Sequence, residues 1–268
     1  MSGKILFLHG LEAGLHGTKS RYLKKIFKND CITPDLQISK FKIWLKNSFI
    51  RNILKNKRFL FILISIILTC LTIANLTKLY SLGLFIGIIS FIILIIFNKK
   101  YLISEAVKLS MDNNIKIAED EIKKHNPEII IGSSWGGALL VNLIKRGIWK
   151  GNSLIIAPAF YTINKVIYGN NSENNIFDFN FSKIKINDFD TNAKIIVYHS
   201  KEDEVISYKE SLKLCEKINP NLNSNEENEN FFNNFELKLY EKGDHSMDEL
   251  CKKSGILKND ILNLLKKD

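Results

Sequence analysis

The sequence predicts an α/β fold, in which a mostly parallel sheet is covered by helices on both faces. The first observation is that short apolar segments with strand character alternate with helical segments through most of the chain, which is typical of buried parallel strands. The second is that residues 39–103 break this pattern with two long apolar runs. A chain of 268 residues is long enough for one sizeable domain plus an appendage. We therefore predict an α/β domain formed by 1–38 and 104–268, and an insertion at 39–103.

The elements of the α/β domain can be assigned in order along the chain. The predicted strands are short apolar runs at 4–10, 30–37, 128–133, 152–160, 194–200 and 236–243. The predicted helices lie at 18–29, 104–126, 136–147, 208–218 and 254–267. Sheets of this kind bind ligands beyond the carboxyl ends of their strands, so we expect functional residues in the loops that follow the strands. The Asn-rich stretch at 219–234 is predicted to be a surface loop.

The net charge of +10 is confined to the insertion and its flanks. Residues 36–104 contain ten Lys or Arg and no Asp or Glu, which leaves 28 of the 38 basic residues against 28 acidic ones elsewhere. A nucleic-acid-binding surface would need aromatic and base-reading side chains among the basic ones, whereas this segment is the most apolar in the chain. We therefore expect no nucleic-acid partner. Four scattered cysteines without a C-x-x-C or Cys/His pattern predict neither disulfides nor a metal site, and no cofactor is expected.

The insertion contains two runs that are long enough to cross a bilayer. Residues 59–77 and 79–98 carry no charge over nineteen and twenty residues, and a membrane span needs about 20 apolar helical residues. A single helix through both runs would leave Lys78 at mid-membrane, at a cost of about 3 kcal/mol. We therefore predict a transmembrane hairpin with helices at about 59–76 and 79–98. A pair of buried core helices is the alternative, but such helices usually have a polar face.

The basic residues around the hairpin predict its orientation. Seven Lys or Arg lie between positions 40 and 58, before the first run, and Lys99 and Lys100 follow the second. The positive-inside rule then places both outer ends, and with them the α/β domain, on the cytoplasmic side of a two-helix, multi-pass membrane protein. Segment 40–58 mixes aromatic and basic residues, which is typical of an amphipathic helix on anionic lipid. A helix packed against the globular domain is the alternative.

A G-x-S-x-G motif lies where the third predicted strand gives way to a helix. The motif is Gly132-Ser133-Ser134-Trp135-Gly136, and a strand–turn–helix context is the one in which such a motif presents a nucleophilic serine. The flanking glycines remove side chains that would collide with the neighbouring strand and helix. Only Ser134 has glycine two residues away on both sides, so Ser134 and not Ser133 is the predicted nucleophile. A glycine-rich turn without chemistry is the alternative.

A serine nucleophile needs a base, and the base needs an acid to orient it. After the serine, Asp203 lies in the loop at the end of the strand 194–200, and His245 follows the last strand. The order Ser, Asp, His along the chain is the one expected after such a turn. His199 lies too early in its loop to be the base, and His9 is expected to hold a turn. Glu202 and Glu204 flank Asp203, so a shift of one residue in the loop would exchange the acid.

The oxyanion of the tetrahedral intermediate needs two backbone donors. The residue after the nucleophile supplies one, which is the N–H of Trp135, and the loop after the first strand supplies the other. In that loop, HGLEAGLHGTK, the natural donor is the N–H of Leu11.

These motifs resemble the α/β-hydrolase superfamily, and more narrowly its small YqiA-like bacterial esterases. The resemblance covers about 1–38 and 104–268. Its motifs are Leu8-His9-Gly10, Gly132-x-Ser134-x-Gly136, the segment His199-Ser200-Lys201-Glu202-Asp203-Glu204-Val205 and Gly243-Asp244-His245. The sequence differs from the family at Ser200, where Gly is usual, at Ser207, where Pro is usual, and at the apolar insertion. The resemblance implies a catalytic triad of Ser134, Asp203 and His245.

The residues predict a membrane-anchored serine hydrolase of the carboxylesterase or thioesterase type that works through an acyl-enzyme. Its substrate would be a small-molecule or lipid acyl ester, with the membrane contacted through 59–98. Two alternatives remain open at this level. An acyltransferase or a lysophospholipase acting on membrane lipids would use the same residues, and a catalytically dead membrane-bound scaffold would use none of them.

Overall fold

The computed structural model describes residues 5–11, 16–38, 53–77, 80–168, 193–218, 235–247 and 255–265. The chain divides into two compact units: a first unit, Met1–Ser39 with Met111–Asp268, and a second unit, Lys40–Ser110. The predicted insertion was 39–103, so the second unit extends seven residues further. Most of the predicted amphipathic segment 40–58, the turn residue Lys78 and the predicted loop 219–234 lie outside the described residues.

The first unit is built on a six-stranded parallel sheet. Its strands are β1 (Ile5–Leu8), β2 (Cys31–Ile32), β3 (Ile129–Ser133), β4 (Asn152–Ile156), β5 (Ile195–Ser200) and β6 (Phe235–Tyr240). They lie in the order β2-β1-β3-β4-β5-β6, and every pairing is parallel. The direction in which the chain winds across the sheet reverses between β1 and β3. A reversal of this kind opens a crevice at the carboxyl ends of the two strands.

The helices of the chain connect these strands and form the second unit. They are α1 (Thr18–Phe27), α2 (Lys57–Thr77), α3 (Tyr80–Phe97), α4 (Lys99–His125), α5 (Trp135–Lys145), α6 (Phe160–Tyr168), α7 (Tyr208–Ile218) and α8 (Ile256–Leu265). A 3₁₀ turn, Lys28–Asp30, follows α1. The boundary between the two units falls within α4.

Helices cover both faces of the sheet. Side chains alternate between the two faces along each strand, so an apolar strand has apolar side chains to bury on both. On one face, Phe7 and Ile131 belong to a buried cluster that includes Leu23 of α1 and Leu257 and Ile261 of α8. On the other face α5 packs against β1, β3 and β4, and nearly all of its residues are buried. Strands β1 and β3 are therefore almost entirely apolar, as the sequence predicted for a parallel sheet with two covered faces, whereas β6 carries Glu236 and Lys238 at half-buried positions.

The largest differences from the sequence prediction concern β2, β4 and α6. The second strand was predicted over 30–37 but is limited to Cys31–Ile32, since Pro34 has no N–H to donate to a neighbouring strand. The fourth strand was predicted to reach residue 160 but ends at Ile156. Helix α6 then begins at Phe160, and the sequence analysis missed it. The turn between them places Ala157 at φ 43°, which ends the strand.

The second unit contains two closely packed antiparallel helices, α2 and α3. A Cβ added at Gly83 would lie 2.9 Å from the Cβ of Ala74, and one at Gly87 would lie 3.2 Å from the Sγ of Cys70. Small residues four apart on α3 therefore let the two helices approach, as is common for helices in membranes. Among the described residues, one helix, Lys57–Leu76, is both long enough and apolar enough to cross a membrane. A second span would need Gly83–Phe97 and Lys99–His125, which meet at a bend of 64°, to act together.

Candidate active site

The candidate nucleophile, Ser134, lies in a strained turn between β3 and α5. Its φ of 56° and ψ of −114° form a conformation that residues with a side chain rarely adopt. The N–H of Ser134 donates to the carbonyl of Ile156 at 2.8 Å. Its own carbonyl accepts hydrogen bonds from the N–H groups of Ala138 at 3.0 Å and Ala159 at 3.1 Å. Neighbouring backbone on both sides therefore holds the strained residue in place.

The two glycines of the motif are required by close backbone contacts. A Cβ at Gly132 would lie 2.4 Å from the carbonyl oxygen of Gly136, and one at Gly136 would lie 1.9 Å from the carbonyl oxygen of Leu8. No side chain fits at either position. Because α5 begins against the end of β1, the turn carrying Ser134 lies beside the loop that follows β1, at the crevice between β1 and β3.

Three candidate residues from three different loops meet at this crevice. The Nε2 of His245 lies 3.0 Å from the Oγ of Ser134, and the Nδ1 of His245 lies 2.7 Å from the Oδ2 of Asp203. A carboxylate only accepts hydrogen bonds, so Nδ1 carries the ring proton and Nε2 is left to accept the proton of the serine hydroxyl. This arrangement allows His245 to act as a general base towards Ser134.

The carboxylate of Asp203 is fully buried and its hydrogen-bonding capacity is used on both oxygens. Its Oδ1 accepts from the N–H groups of Val205 at 2.9 Å and Ile206 at 2.8 Å. Burial alone would raise the pKa of this carboxyl. Hydrogen bonds from the rings of His199 and His245 and from the Ile206 N–H outweigh burial and hold the pKa well below its usual range. Asp203 is therefore ionised at neutral pH and can stabilise a protonated His245.

The neighbouring carboxylates do not occupy this position. Glu202 and Glu204 are exposed, whereas Asp203 is buried. The Oε2 of Glu202 accepts a hydrogen bond from the N–H of Gly243 at 3.4 Å, which ties the loop after β5 to the loop after β6. Among the three acidic residues of this loop, Asp203 is the one in contact with His245.

His199 also contacts Asp203, which the sequence analysis missed. Its side chain is fully buried, with Nδ1 2.7 Å from the Oγ of Ser211, and Nε2 2.9 Å from the carbonyl of Ile206 and 3.4 Å from the Oδ2 of Asp203. Because Nε2 faces two acceptors, it carries the ring proton. The signal available in the sequence was a histidine inside an otherwise apolar strand, where a buried polar ring needs partners.

The two candidate oxyanion donors flank the nucleophile. Trp135 is the first residue of α5, and the first N–H groups of a helix have no acceptor within the helix. Leu11 follows Gly10, whose Cα lies so close to the nucleophile that an added Cβ would be 3.1 Å from the Cβ of Ser134. Residues 12–15, which complete this loop, lie outside the described residues.

A cavity of about 410 Å³ opens at the candidate nucleophile and base. Its lining includes Phe7, Gly10, Leu11, Lys19, Ser134 and His245. The Nζ of Lys19 donates to the carbonyl of His245 at 3.2 Å, and the Oγ of Ser200 donates to the carbonyl of Gly243 at 2.6 Å. The loop that carries His245 is therefore tied to α1 on one side and to β5 on the other. Within the described ranges, no group of three or more His, Cys, Asp or Glu side chains is arranged to hold a metal ion.

Comparison with solved structures identifies the architecture. Est1E from Butyrivibrio proteoclasticus matches with a TM-score of 0.51 and 12% sequence identity, over 99% of this chain and 89% of its own. Alpha/beta hydrolase domain-containing protein 10 from mouse matches with a TM-score of 0.50 and 12% identity, over 99% and 93% of the two chains. The fold is that of the α/β hydrolases.

No protein-family description and no curated protein sequence matches the chain. At 12% identity the two structural matches establish the fold alone. The narrower resemblance to YqiA-like esterases therefore stays a prediction from the sequence motifs. The chemistry available to this chain therefore depends on the side chains gathered around Ser134, His245 and Asp203.

Proposed function

We propose that this α/β-hydrolase-fold protein is a membrane-anchored serine hydrolase that cleaves carboxylic esters or thioesters through an acyl-enzyme. The observation that carries the proposal is the continuous pair of contacts from Ser134 through His245 to Asp203, at 3.0 and 2.7 Å. A buried, ionised carboxylate at one end and a strained serine at the other are what nucleophilic catalysis by this combination requires.

The acylation step follows from the positions of these atoms. The Oγ of Ser134 forms a bond to the carbonyl carbon of the ester while its proton passes to the Nε2 of His245, and the π electrons of the carbonyl move to its oxygen. The N–H groups of Leu11 and Trp135 stabilise this oxyanion. When the tetrahedral intermediate collapses, the bond to the alcohol or thiol breaks and the leaving group takes the proton from His245.

Deacylation repeats the sequence with water in place of the serine hydroxyl. His245 removes a proton from a water molecule while the oxygen of that water attacks the acyl carbon. The Oγ of Ser134 then leaves and takes the proton back from His245. Transfer of the acyl group to another acceptor would use the same steps, which makes an acyltransferase the second candidate. The cavity is open beside Ser134, so either acceptor is compatible with the site.

The membrane part of the proposal is supported by the outer surface of the second unit. Apolar side chains of α2 and α3 are exposed there, with exposed fractions of 72% for Phe61, 80% for Leu76 and 84% for Phe97. Soluble proteins rarely expose apolar surface of this extent to water, whereas lipid would cover it. We propose that α2 and α3 form the membrane hairpin and that the first unit faces the cytoplasm. The proposed substrate class is then a lipid acyl ester taken from the bilayer.

Labelling with a fluorophosphonate probe tests the proposed chemistry, because the probe reacts with an activated serine. Full-length protein in detergent should be labelled and should hydrolyse p-nitrophenyl esters. Ser134→Ala should abolish both, with a loss in turnover of about 10⁶-fold. Ser133→Ala is the matched control, since Ser133 is the adjacent buried serine of β3, and this variant should keep most of both activities. Labelling of Ser134→Ala but not of Ser133→Ala would assign the nucleophile to the other serine.

Extraction of membranes with alkaline carbonate tests the hairpin. The full-length protein should stay with the membrane pellet, and a tag at the carboxyl terminus should be digested by protease only from the cytoplasmic side. Release of the protein into the supernatant would show that the apolar helices pack within the protein instead of in lipid. In that case the enzymatic proposal would stand without the membrane part.

A further inference from the structure

A buried hydrogen-bond network joins the two segments that carry the candidate oxyanion donors. We call it the Asn114 network, and it consists of Gly10, His9, Leu36, Asn114 and Trp135. The Nδ1 of His9 donates to the carbonyl of Gly10 at 2.9 Å, and the N–H of Leu36 donates to the Nε2 of His9 at 3.3 Å. The Nδ2 of Asn114 donates to the carbonyl of Leu36 at 2.5 Å. The Nε1 of Trp135 donates to the Oδ1 of Asn114 at 2.8 Å.

The partners in this network allow only one assignment of its protons. The carbonyl of Gly10 can only accept, so the proton of His9 is on Nδ1 and its Nε2 accepts from Leu36. At Asn114 the amide nitrogen faces a carbonyl and the amide oxygen faces an indole N–H, so the side-chain amide fits in one orientation. The side chains are buried, with exposed fractions of 2% for His9 and 1% for Asn114. Loss of one hydrogen bond would leave a buried polar group without a partner, which is costly, so the network is expected to stay intact as a whole.

The first end of the network fixes the direction of one oxyanion donor. The carbonyl of Gly10 and the N–H of Leu11 belong to the same peptide unit, which is planar and trans, so the two bonds point in opposite directions. Holding the carbonyl of Gly10 against His9 therefore sets where the N–H of Leu11 points. His9 is in turn held by Leu36, and Leu36 by Asn114.

The second end of the network fixes the other donor. Trp135 supplies its backbone N–H to the proposed oxyanion hole, and its indole is bound to Asn114. Asn114 lies in α4, which is neither the nucleophile turn nor the loop after β1. One amide side chain thus links two segments that have to keep a fixed spacing around a single oxygen atom.

We propose that Asn114 is a positioning residue for the oxyanion hole, which holds the N–H groups of Leu11 and Trp135 in one geometry without touching the substrate. This inference depends on the proposed serine hydrolase function. Oxyanion donors act at 2.7–3.1 Å from the developing charge, and a misplacement of about 1 Å can reduce turnover by about 10²-fold. The donors contact the oxygen most strongly in the transition state, so loss of Asn114 should lower kcat and leave KM nearly unchanged.

The test uses Trp135→Phe and Asn114→Leu in the full-length protein in detergent. Trp135→Phe removes the indole N–H together with the five-membered ring that carries it, and it keeps an aromatic ring and the backbone donor. Asn114→Leu removes both side-chain bonds of the amide. Trp149→Phe is the matched control, because the Nε1 of Trp149 also makes a buried hydrogen bond, to the Oγ of Ser153 at 2.9 Å. Ser153 lies near the start of β4, at the amino ends of the strands, whereas the site lies at their carboxyl ends.

Two readouts separate positioning from stability. We expect kcat for p-nitrophenyl butyrate to fall about 10- to 100-fold in Trp135→Phe and Asn114→Leu, with KM changed by less than about 3-fold. Affinity for an alkyl trifluoromethyl ketone, which forms a tetrahedral adduct with an oxyanion, should weaken by a similar factor. The double variant should lose less than the product of the two single effects, because both changes break one network. Trp149→Phe should alter kcat by less than about 2-fold, even if its melting temperature falls as much as that of Trp135→Phe.

The outcomes distinguish this inference from the function on which it rests. A labelled and active wild type whose Trp135→Phe variant behaves like Trp149→Phe would overturn the role of Asn114 alone. An increase in KM without a fall in kcat would do the same. A wild type that reacts with neither probe nor ester would overturn the proposed function and the positioning role together. If Asn114→Leu does not fold, the comparison of Trp135→Phe with Trp149→Phe, which lose the same atoms, decides the question.

Discussion

The two units of the chain bury their apolar side chains in opposite ways. In the first unit the large apolar residues lie inside, between the sheet and its helices, as Ile131 and Leu139 do, both with an exposed fraction of 0%. In the second unit the helices meet through small residues such as Gly83 and Ala74, and large residues such as Phe97 face outwards. The first pattern is that of a protein folded by exclusion of apolar groups from water. The second is the pattern expected of the proposed membrane hairpin, because helices packed in lipid lack that driving force.

The two packing patterns determine where a catalytic site can form. Every candidate catalytic group lies in the first unit, in loops at the carboxyl ends of strands, because a rigid buried sheet can hold side chains from distant parts of the chain within 3.0 Å of each other. The second unit offers apolar surface and hydroxyl groups such as those of Ser65 and Thr69, which donate to carbonyls of their own helix. We expect the first unit to determine activity and the second to determine location.

The largest effect on turnover is expected when the candidate base in the first unit is removed. His245→Ala should reduce turnover by about as much as Ser134→Ala, about 10⁶-fold, and the double variant should be no worse, because the two residues act as a unit. His199→Ala should lose less, since His199 contacts Asp203 and not the serine. Steady-state rates with p-nitrophenyl butyrate would measure this. His125→Ala is the control, as His125 is the last residue of α4 and its Nε2 lies 3.3 Å from the Oε2 of Glu121.

An active His245→Ala variant would contradict the assignment of the base. Equal losses in His245→Ala and His199→Ala would mean instead that the acid, held between both rings, matters more than the base that it orients. The rate of the wild type should also fall at acid pH, because a protonated imidazole cannot accept the proton of Ser134.

The same substitution in the two units should have unequal effects on folding. Gly136→Ala would place a Cβ 1.9 Å from the carbonyl oxygen of Leu8, whereas Gly87→Ala would place one 3.2 Å from the Sγ of Cys70. Backbone cannot move aside as a side chain can, so we expect Gly136→Ala to cost about 3 kcal/mol or more and Gly87→Ala about 1 kcal/mol or less. The yield of folded protein and the temperature of half-inactivation would measure both. Comparable losses would show that Cys70 cannot move aside from Gly87 any more than the backbone of Leu8 can from Gly136.

The pH dependence of stability should depend on Asp203. Its pKa is lowered in the folded protein, so ionised Asp203 stabilises the fold fully above its unfolded pKa of about 4. This contribution is lost progressively as the pH falls from there towards the folded pKa. Asp203→Asn removes it, so the melting temperature of the variant should decline less between pH 5 and pH 3 than that of the wild type. Identical slopes would mean that other carboxylates dominate acid unfolding.

Much of this arrangement could be predicted because it follows from local rules. The strand-to-helix turn at Ser134 was predicted from two glycines, and the contacts of Gly132 and Gly136 with backbone explain why no other residue fits. The positions of Asp203 and His245 after β5 and β6 followed from the tendency of parallel strands to gather side chains at their carboxyl ends. These features depend on a few consecutive residues and on the order of the strands.

The features that were missed depend on contacts between distant residues. The network that joins Leu36, Asn114 and Trp135 brings together positions 36, 114 and 135, and no short motif contains such a set. Helix α6 was missed because its start is set by remote contacts. The carboxylate of Glu210 in α7 accepts from the N–H groups of Tyr161 at 3.0 Å and Thr162 at 3.1 Å, which are first-turn donors of α6. The left-handed backbone of Ala157 also has no glycine to signal it.

The smallest effect on chemistry is expected from the largest change to the chain, which is replacement of residues 40–110 by a short Gly/Ser linker. The chain leaves the first unit after Leu36 and returns before Asn114, and these two residues are hydrogen-bonded to each other. The gap to be closed is therefore short, and closing a loop costs only about 0.6 kcal/mol for each doubling of its length. A deletion that ends at Ser110 keeps Asn114 and its bonds to Leu36 and Trp135.

The shortened protein should be soluble, should melt cooperatively and should hydrolyse short p-nitrophenyl esters within about 3-fold of the full-length rate. Long-chain esters presented in vesicles should be cleaved faster by the full-length protein, since the proposed hairpin would keep it at the bilayer. A soluble, cooperatively folded deletion that cleaves no short ester would show that the second unit contributes to the active site, and the division between activity and location would then be wrong.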